Sequence, residues 1–383
     1  MKTLVLTLLL SAGCALAQTW TDRAEFDLAL AVRAQADPAA RLQLLDDWKK
    51  KYPSSAMRQV RAELVLAAAQ TLGDPARMFE AARELAAGDA KSLVGHYWIT
   101  VLGPGSRNAA QRVAEIDASA KFLLASAPAA QKEQRAVEAL AHRTAGWAAW
   151  QRGDLEAAEK ALRLALEAQP ENAQASAWLG SVIATQPASA RQVEAIWHLA
   201  RAAYLDGDGA LTAAERREVR KLLDAVYTGY HGALDGLEEI GTATRASVMP
   251  AAGFKVESAG ELARRRYEEE LERTNPELLA WIRLRERLDG PDSEAQFQSL
   301  SGTPLPRLKG YVIRCNSASK PKEVFLGLKD SALEEVVLKL DTPFPKCTEQ
   351  GIALRFEGMA AAFTKDPFLL TVSVAQAAIE GWQ

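Results

Sequence analysis

The sequence is short of the residues that usually carry chemistry. It has 4 histidines and 3 cysteines in 383 residues. His96, His142, His198 and His231 are scattered through helical stretches. His-Glu-x-x-His, Gly-x-Ser-x-Gly, Gly-Lys-Ser/Thr and Cys-x-x-Cys are all absent, so zinc-protease, serine-hydrolase, P-loop and dithiol chemistry have no signature here. No catalytic residue, metal site or cofactor is expected. An excess of one charge is lacking too: 46 Lys+Arg against 49 Asp+Glu leave a net charge of -3. That excludes the basic field on which nucleic-acid binding depends. No run beyond the N-terminus approaches the ~20 apolar residues of a transmembrane helix.

Alanine is abundant. It fills 73 of the 383 positions, and it is the best intrinsic helix former. Hydrophobic residues make up 48% and charged residues 25%, the balance of a globular chain of two or three domains. Residues 1–17 read as a signal peptide. Met1-Lys2 supplies the positive start, Leu4 to Leu10 the apolar stretch and Ala15-Leu16-Ala17 a small-x-small cleavage site. Leu10-Ser11-Ala12-Gly13-Cys14 resembles a lipoprotein signal, but Ser11 holds the place of the leucine. Simple export to the periplasm or medium is therefore expected, with lipid anchoring at Cys14 the alternative. Cleavage leaves Cys315 and Cys347, natural disulfide partners in an oxidising compartment, two separate buried thiols being the other reading.

From Trp20 to about Leu288 the apolar residues recur at three and four positions, with turn residues at short intervals. The clearest hairpin spans Val137 to Gln169. Leu155, Ala158, Ala161, Leu162, Ala165 and Leu166 share one face of its second helix, a stripe that needs a neighbour to cover it. Gly146, Gly153, Ala158, Leu162, Ala165 and Pro170 follow the spacing of the tetratricopeptide repeat (TPR) family, which this region resembles. Gly180 lies 34 residues after Gly146, one repeat length. Ala195, Leu199 and Ala202 follow with a three-residue insertion placed at Gln186-Pro187-Ala188-Ser189. Residues 18–241 are thus expected to form a TPR-like α-solenoid, 242–257 a linker and 258–290 a helical pair.

After Pro304 the period becomes alternating. Tyr311, Ile313 and Cys315, then Val324, Leu326 and Leu328, then Val336, Leu338 and Leu340, then Ile352, Leu354 and Phe356, then Phe368, Leu370, Val372 and Val374 mark five strands. Residues 304–383 are expected to be a small antiparallel β-barrel or sandwich that resembles an OB-fold. Its ten Lys+Arg against nine Asp+Glu show no funnel for an oligonucleotide.

The TPR resemblance implies a concave surface, lined by the first helix of each repeat, that takes a protein or peptide. It would be faced by Arg143, Trp147, Trp150 and Gln151, then Gln174 and Ser181. Arg143, Trp147 and Gln151 also form an i, i+4, i+8 stripe. The competing reading of Trp147 and Trp150 is plain packing between hairpins. Asp206 to Glu215 resembles part of a calcium-binding EF-hand loop, but Tyr204 stands at the first ligand position and Thr212-x-x-Glu215 reads as a capping box. Tyr227, Tyr230 and His231 before Gly232 read as aromatic packing at a helix end. The sequence as a whole reads as an exported TPR adaptor of the cell envelope rather than an enzyme. A glycan- or peptidoglycan-binding β-domain, or an enzyme with an unfamiliar site, is the alternative. N-terminal sequencing of exported protein should begin at Gln18; a lipid-modified Cys14 would overturn that cleavage site.

Overall fold

The computed structural model describes residues 20, 22–126, 132–186, 189–329 and 332–383. The expected signal segment, with Cys14, and Pro187 and Ala188 of the expected insertion turn lie outside these residues. The chain divides into two units, 1–257 and 258–383.

The first unit is a series of helix hairpins: α1 (Arg23–Ala34) with α2 (Pro38–Lys51), α3 (Arg58–Leu72) with α4 (Pro75–Gly88), α5 (Leu93–Leu102) with α6 (Val113–Ser126), α7 (Lys132–Gln151) with α8 (Leu155–Ala168), α9 (Ala173–Ala184) with α10 (Ser189–Tyr204), and α11 (Ala213–His231) with α12 (Leu237–Thr244). Short polar side chains start most of them. Asp22, Asp37, Asp74, Ser92, Asp154, Asn172 and Thr212 each accept a backbone N–H of the following first turn, which satisfies donors that a helix leaves unpaired. On α8, Ala158, Leu162, Ala165 and Leu166 are buried and join Ala175, Leu179 and Ile183 of α9 in one cluster.

Packing inside the hairpins repeats. A Cβ on Gly146 would stand 2.7 Å from Leu162 and 3.1 Å from Ala158 O. One on Gly180 would stand 2.8 Å from Leu199 and 3.1 Å from Ala195 O. The same small-residue crossing thus recurs one repeat later, and this unit is TPR-like in its stacking of helix pairs. Glu159 and Arg163 of α8 meet Arg191 and Glu194 of α10 in a four-membered ion network that ties second helix to second helix.

Residues 242–257 are not a free linker. Arg201, buried on α10, donates to the carbonyls of Thr244, Ser247 and Pro170. Trp197 Nε1 donates to Val248 O at 3.0 Å, and its ring meets Phe254 edge-on at 4.8 Å. Val256 is buried with Ile196, Leu199 and Tyr227. The segment lacks a helical period because carbonyl clamps and single rings, not an apolar stripe, fasten it.

The second unit joins α13 (Ala259–Thr274), α14 (Pro276–Asp289) and α15 (Ser293–Leu300) to seven strands: β1 (Leu308–Cys315), β2 (Glu323–Gly327), β3 (Val336–Leu340), β4 (Ala353–Phe356), β5 (Met359–Lys365), β6 (Phe368–Val374) and β7 (Ile379–Glu380). Trp281, Leu284 and Leu288 of α14 share one core with the sheet, so the helical pair belongs to the same unit as the strands. The arginine and glutamate run of α13 is exposed and locally paired, with Arg264 on Glu268 and Glu286.

The sheet differs from an all-antiparallel, five-stranded barrel. Its order is β5-β6-β3-β2-β1-β4-β7, and β3 pairs with β6 in parallel. Hydrogen bonding does not close it. β5 escapes the alternation pattern because only Ala360 on it is buried. The sheet nevertheless curls. β4 and β5 lie five strand spacings apart in that order, about 24 Å if the sheet were flat, yet only Glu357 and Gly358 separate them in sequence, a reach of about 11 Å. The bulges at Val312/Arg314 and Ala360/Ala362 accompany the bend. Gly358 stands at the corner, where a Cβ would lie 2.5 Å from Ser373 O.

A disulfide joins Cys315, at the end of β1, to Cys347 in the loop before β4, across a sequence separation of 32. Closing a loop of that length stabilises by about 3–4 kcal/mol in the chain-entropy description.

His198 on α10 has no exposed surface, and neither ring nitrogen has a hydrogen-bond partner. Burial is the main cause that brings its pKa down to about 4 from 6.5, against an opposing pull from Glu194. Below pH 6.5 the unfolded chain takes up a proton that the native state refuses until about pH 4. Stability is therefore full above pH 6.5 and declines as pH falls towards 4, by about 2 kcal/mol already at pH 5. Glu159, held at about 2 chiefly by the Arg191 hydrogen bond, keeps its contribution above the usual carboxylate range and loses it as pH falls through 2. Urea titrations at pH 7.5 and pH 5 should show the decline in the helical unit and a flatter response for His198→Met. An unchanged pH response in that variant would contradict the assignment.

Candidate functional site

The first helices of the central hairpins, α5, α7 and α9, form a layer in which α7 touches both neighbours. Thr144 on α7 donates across it to Thr100 O on α5 at 3.0 Å. Trp98 of α5, Trp147 of α7 and Trp178 of α9 pack into one cluster with Phe79, Ile99 and Ile116.

The expected stripe of Arg143, Trp147 and Gln151 does not hold together. Trp147 is only 6% exposed and belongs to the core, so its ring offers no open face to a partner. Trp150 is half-buried on the α8–α9 side. Gln151 is exposed at the end of α7, and Gln174 is half-buried on α9. The Ser181 hydroxyl donates to Ala177 O of its own helix. A helix flanked on both sides presents less than a full stripe, and position 147 turns into the neighbours.

Arg143 is the member that keeps a site. Its side chain is half-buried, and Nε is sealed from solvent without a hydrogen-bond partner. The guanidinium lies over the ring of Trp178 with Cζ 5.7 Å from the centroid, within cation–π range. Burial pushes its pKa down, while Glu215 and Tyr97 push it back up. Burial also raises the Tyr97 phenol, whose ring stands edge-on to Trp98 at 5.3 Å. Trp178 is the residue that spacing missed. It lies 35 positions after Arg143, one repeat length plus one, and directly precedes Leu179-Gly180 of the helix crossing.

The other candidate residues are spent on structure. Glu215 accepts from the backbone N–H and the hydroxyl of Thr212, and Asp206 pairs with Arg216 and Arg245. Within the loop from Asp206 to Glu215, Glu215 is therefore committed to a helix cap and Asp206 to arginines. Among the described residues no group of three or more His, Cys, Asp or Glu is placed to hold a metal ion. Tyr227 donates to Asp235 O, and His231 Nδ1 lies 2.7 Å from Glu257 O. His96 lies against Ser119 and Ala90 O, and burial lowers the pKa of His142. A cleft of about 280 Å³ between α2, α3 and α4 is bridged by the Lys49–Glu84 and Arg77–Asp46 pairs. In the second unit, Lys309 covers the ring of Tyr311 and Arg314 that of Phe325.

Truncating Trp147 should cost stability rather than binding. Trp147→Ala is expected to lose about 3–5 kcal/mol, as for a buried aromatic, while Gln151→Ala stays within about 0.5 kcal/mol of wild type. Denaturant unfolding of both variants checks this; a Trp147→Ala protein as stable as wild type would return that residue to the surface.

No family model and no curated protein matches the chain. Among solved structures, a thermophilic TPR protein of Thermus thermophilus is similar at 15% identity, covering 53% of this chain and 97% of that one, with a TM-score of 0.29. A MamA RS-1 ArsTM double mutant is similar at 15% identity, covering 54% of this chain and 99% of that one, with a TM-score of 0.33. These values speak to neither partner nor activity, and the helix-hairpin description rests on the crossings at Gly146 and Gly180.

Proposed function

We propose that this protein is an exported, non-enzymatic scaffold of the cell envelope that binds a segment of another protein on the first-helix face of its TPR-like hairpins. The observation that carries the reading is Arg143: a guanidinium half-buried against Trp178, with Tyr97 near it and no ion pair among the described residues. Aromatic rings anchor interfaces because they bury large areas at few rotatable bonds, and arginine because its planar guanidinium offers a directional set of donors. Three other arginines of this unit are engaged instead, Arg163 and Arg191 with carboxylates and Arg201 with backbone carbonyls.

For the second unit we favour an OB-like barrel. Counting β4 and β5 as one bent strand leaves five principal strands that wrap upon themselves, in keeping with the partly open five-stranded barrel of that fold. The rings of Tyr311 and Phe325 are covered by cations of the same chain, which disfavours them as sugar-stacking platforms. The weight of the function therefore falls on the hairpins.

A photo-crosslinking residue at Gln174, on the first-helix face, should capture a protein in intact cells. The same residue at Lys160, exposed on the second helix α8, should capture none. Equal capture at both positions, or capture at Lys160 alone, would overturn the docking face.

A further inference from the structure

We propose that Arg143 is the receptor for one carboxylate side chain, an Asp or Glu within an extended protein segment that crosses the α5–α7–α9 layer; this rests on the docking reading above and names what the face selects. Three observations lead there. First, a guanidinium has five donors, yet Arg143 takes part in no hydrogen bond or ion pair among the described residues, and its Nε is cut off from solvent. Leaving a charged donor in that condition costs free energy. Second, the planar cation is positioned, with Trp178 under one face; because Nε is sealed, the two Nη groups are the donors left for an end-on fork to a carboxylate. Third, Arg143 is on the middle helix of the layer, with α5 on one side and α9 on the other. A segment bound there continues in both directions, which suits an internal side chain rather than a chain end.

The surroundings also set the number of charges. The carboxylate within electrostatic reach of Arg143 is Glu215, whose Oε2 accepts from both the N–H and the hydroxyl of Thr212 at the start of α11. It does not pair with Arg143, but it repels further acids. A lone Asp or Glu among apolar residues fits this face better than an acidic run, with Trp98, Tyr97 and Trp178 supplying the apolar contact.

The test uses the full-length protein and immobilised nonapeptides, acetylated and amidated, of apolar and neutral residues with Asp or Glu at the centre. The paired peptides carry Asn or Gln there, and a third set carries its carboxylate only as a free C-terminus. Wild type should prefer the central acid over its amide by about tenfold or more. Arg143→Met should abolish the preference. That variant should also melt about 2–4 °C higher without peptide, because it removes a desolvated, unpaired charge. Equal retention of acid and amide peptides would overturn the carboxylate receptor and leave the docking face standing, as would undiminished acid preference in Arg143→Met. Preference for the free C-terminus alone would overturn the internal segment. No retention of any peptide would overturn both readings.

Discussion

Helix-on-helix approach at Gly146 and Gly180 sets the spacing of the α7–α8 and α9–α10 hairpins, on which the rest of the candidate site depends. Each glycine lets a leucine of the second helix, Leu162 or Leu199, press on the backbone of the first. Any side chain at either point would push the pair apart. With the hairpins that tight, alanines such as Ala158, Ala165 and Ala195 suffice to fill the remaining space, and the high alanine content finds its reason. Large residues are then displaced to the boundaries between hairpins, and Trp147 and Trp178 gather there. The setting of Arg143 follows from the same packing, because the ring that supports its guanidinium comes from the next repeat.

Those crossings were legible in the sequence because they depend on local spacing. Gly146, Ala158 and Leu162, and again Gly180, Ala195 and Leu199, fall where a repeat needs them. The face of Trp147 was not legible, since an i, i+4 stripe says which residues share a side and not which neighbour covers that side. Trp178 was passed over for a related reason: its partner is one repeat away, and the contact is invisible until the hairpins are stacked. Residues 242–257 look like a connector in sequence because their attachments run largely from Arg201 and Trp197 to backbone carbonyls. Carbonyls leave no trace in a residue pattern.

In the second unit, alternation marked the buried strands and missed β5, whose residues are mostly exposed. The parallel pairing of β3 with β6 was equally out of sight, because alternation carries no information about strand direction. The two cysteines are readable as partners from their number and the expected compartment, and the loop between β3 and β4 brings Cys347 to the end of β1.

The continuity of β4 with β5 through Glu357-Gly358 has a mechanical meaning. One stretch of chain supplies both β4, which lies next to the β7 border, and β5, which is the other border, so the two ends of the curled sheet are not independent. Peeling β4 from β1 pulls on Gly358, which is wedged against Ser373 of β6, and the strain passes at once to the β5–β6 ladder. A sheet with separate borders frays strand by strand. Here a tug on β4 or on β5 is resisted by both, and the parting of those two strands is expected as a single event rather than a sequence of small ones.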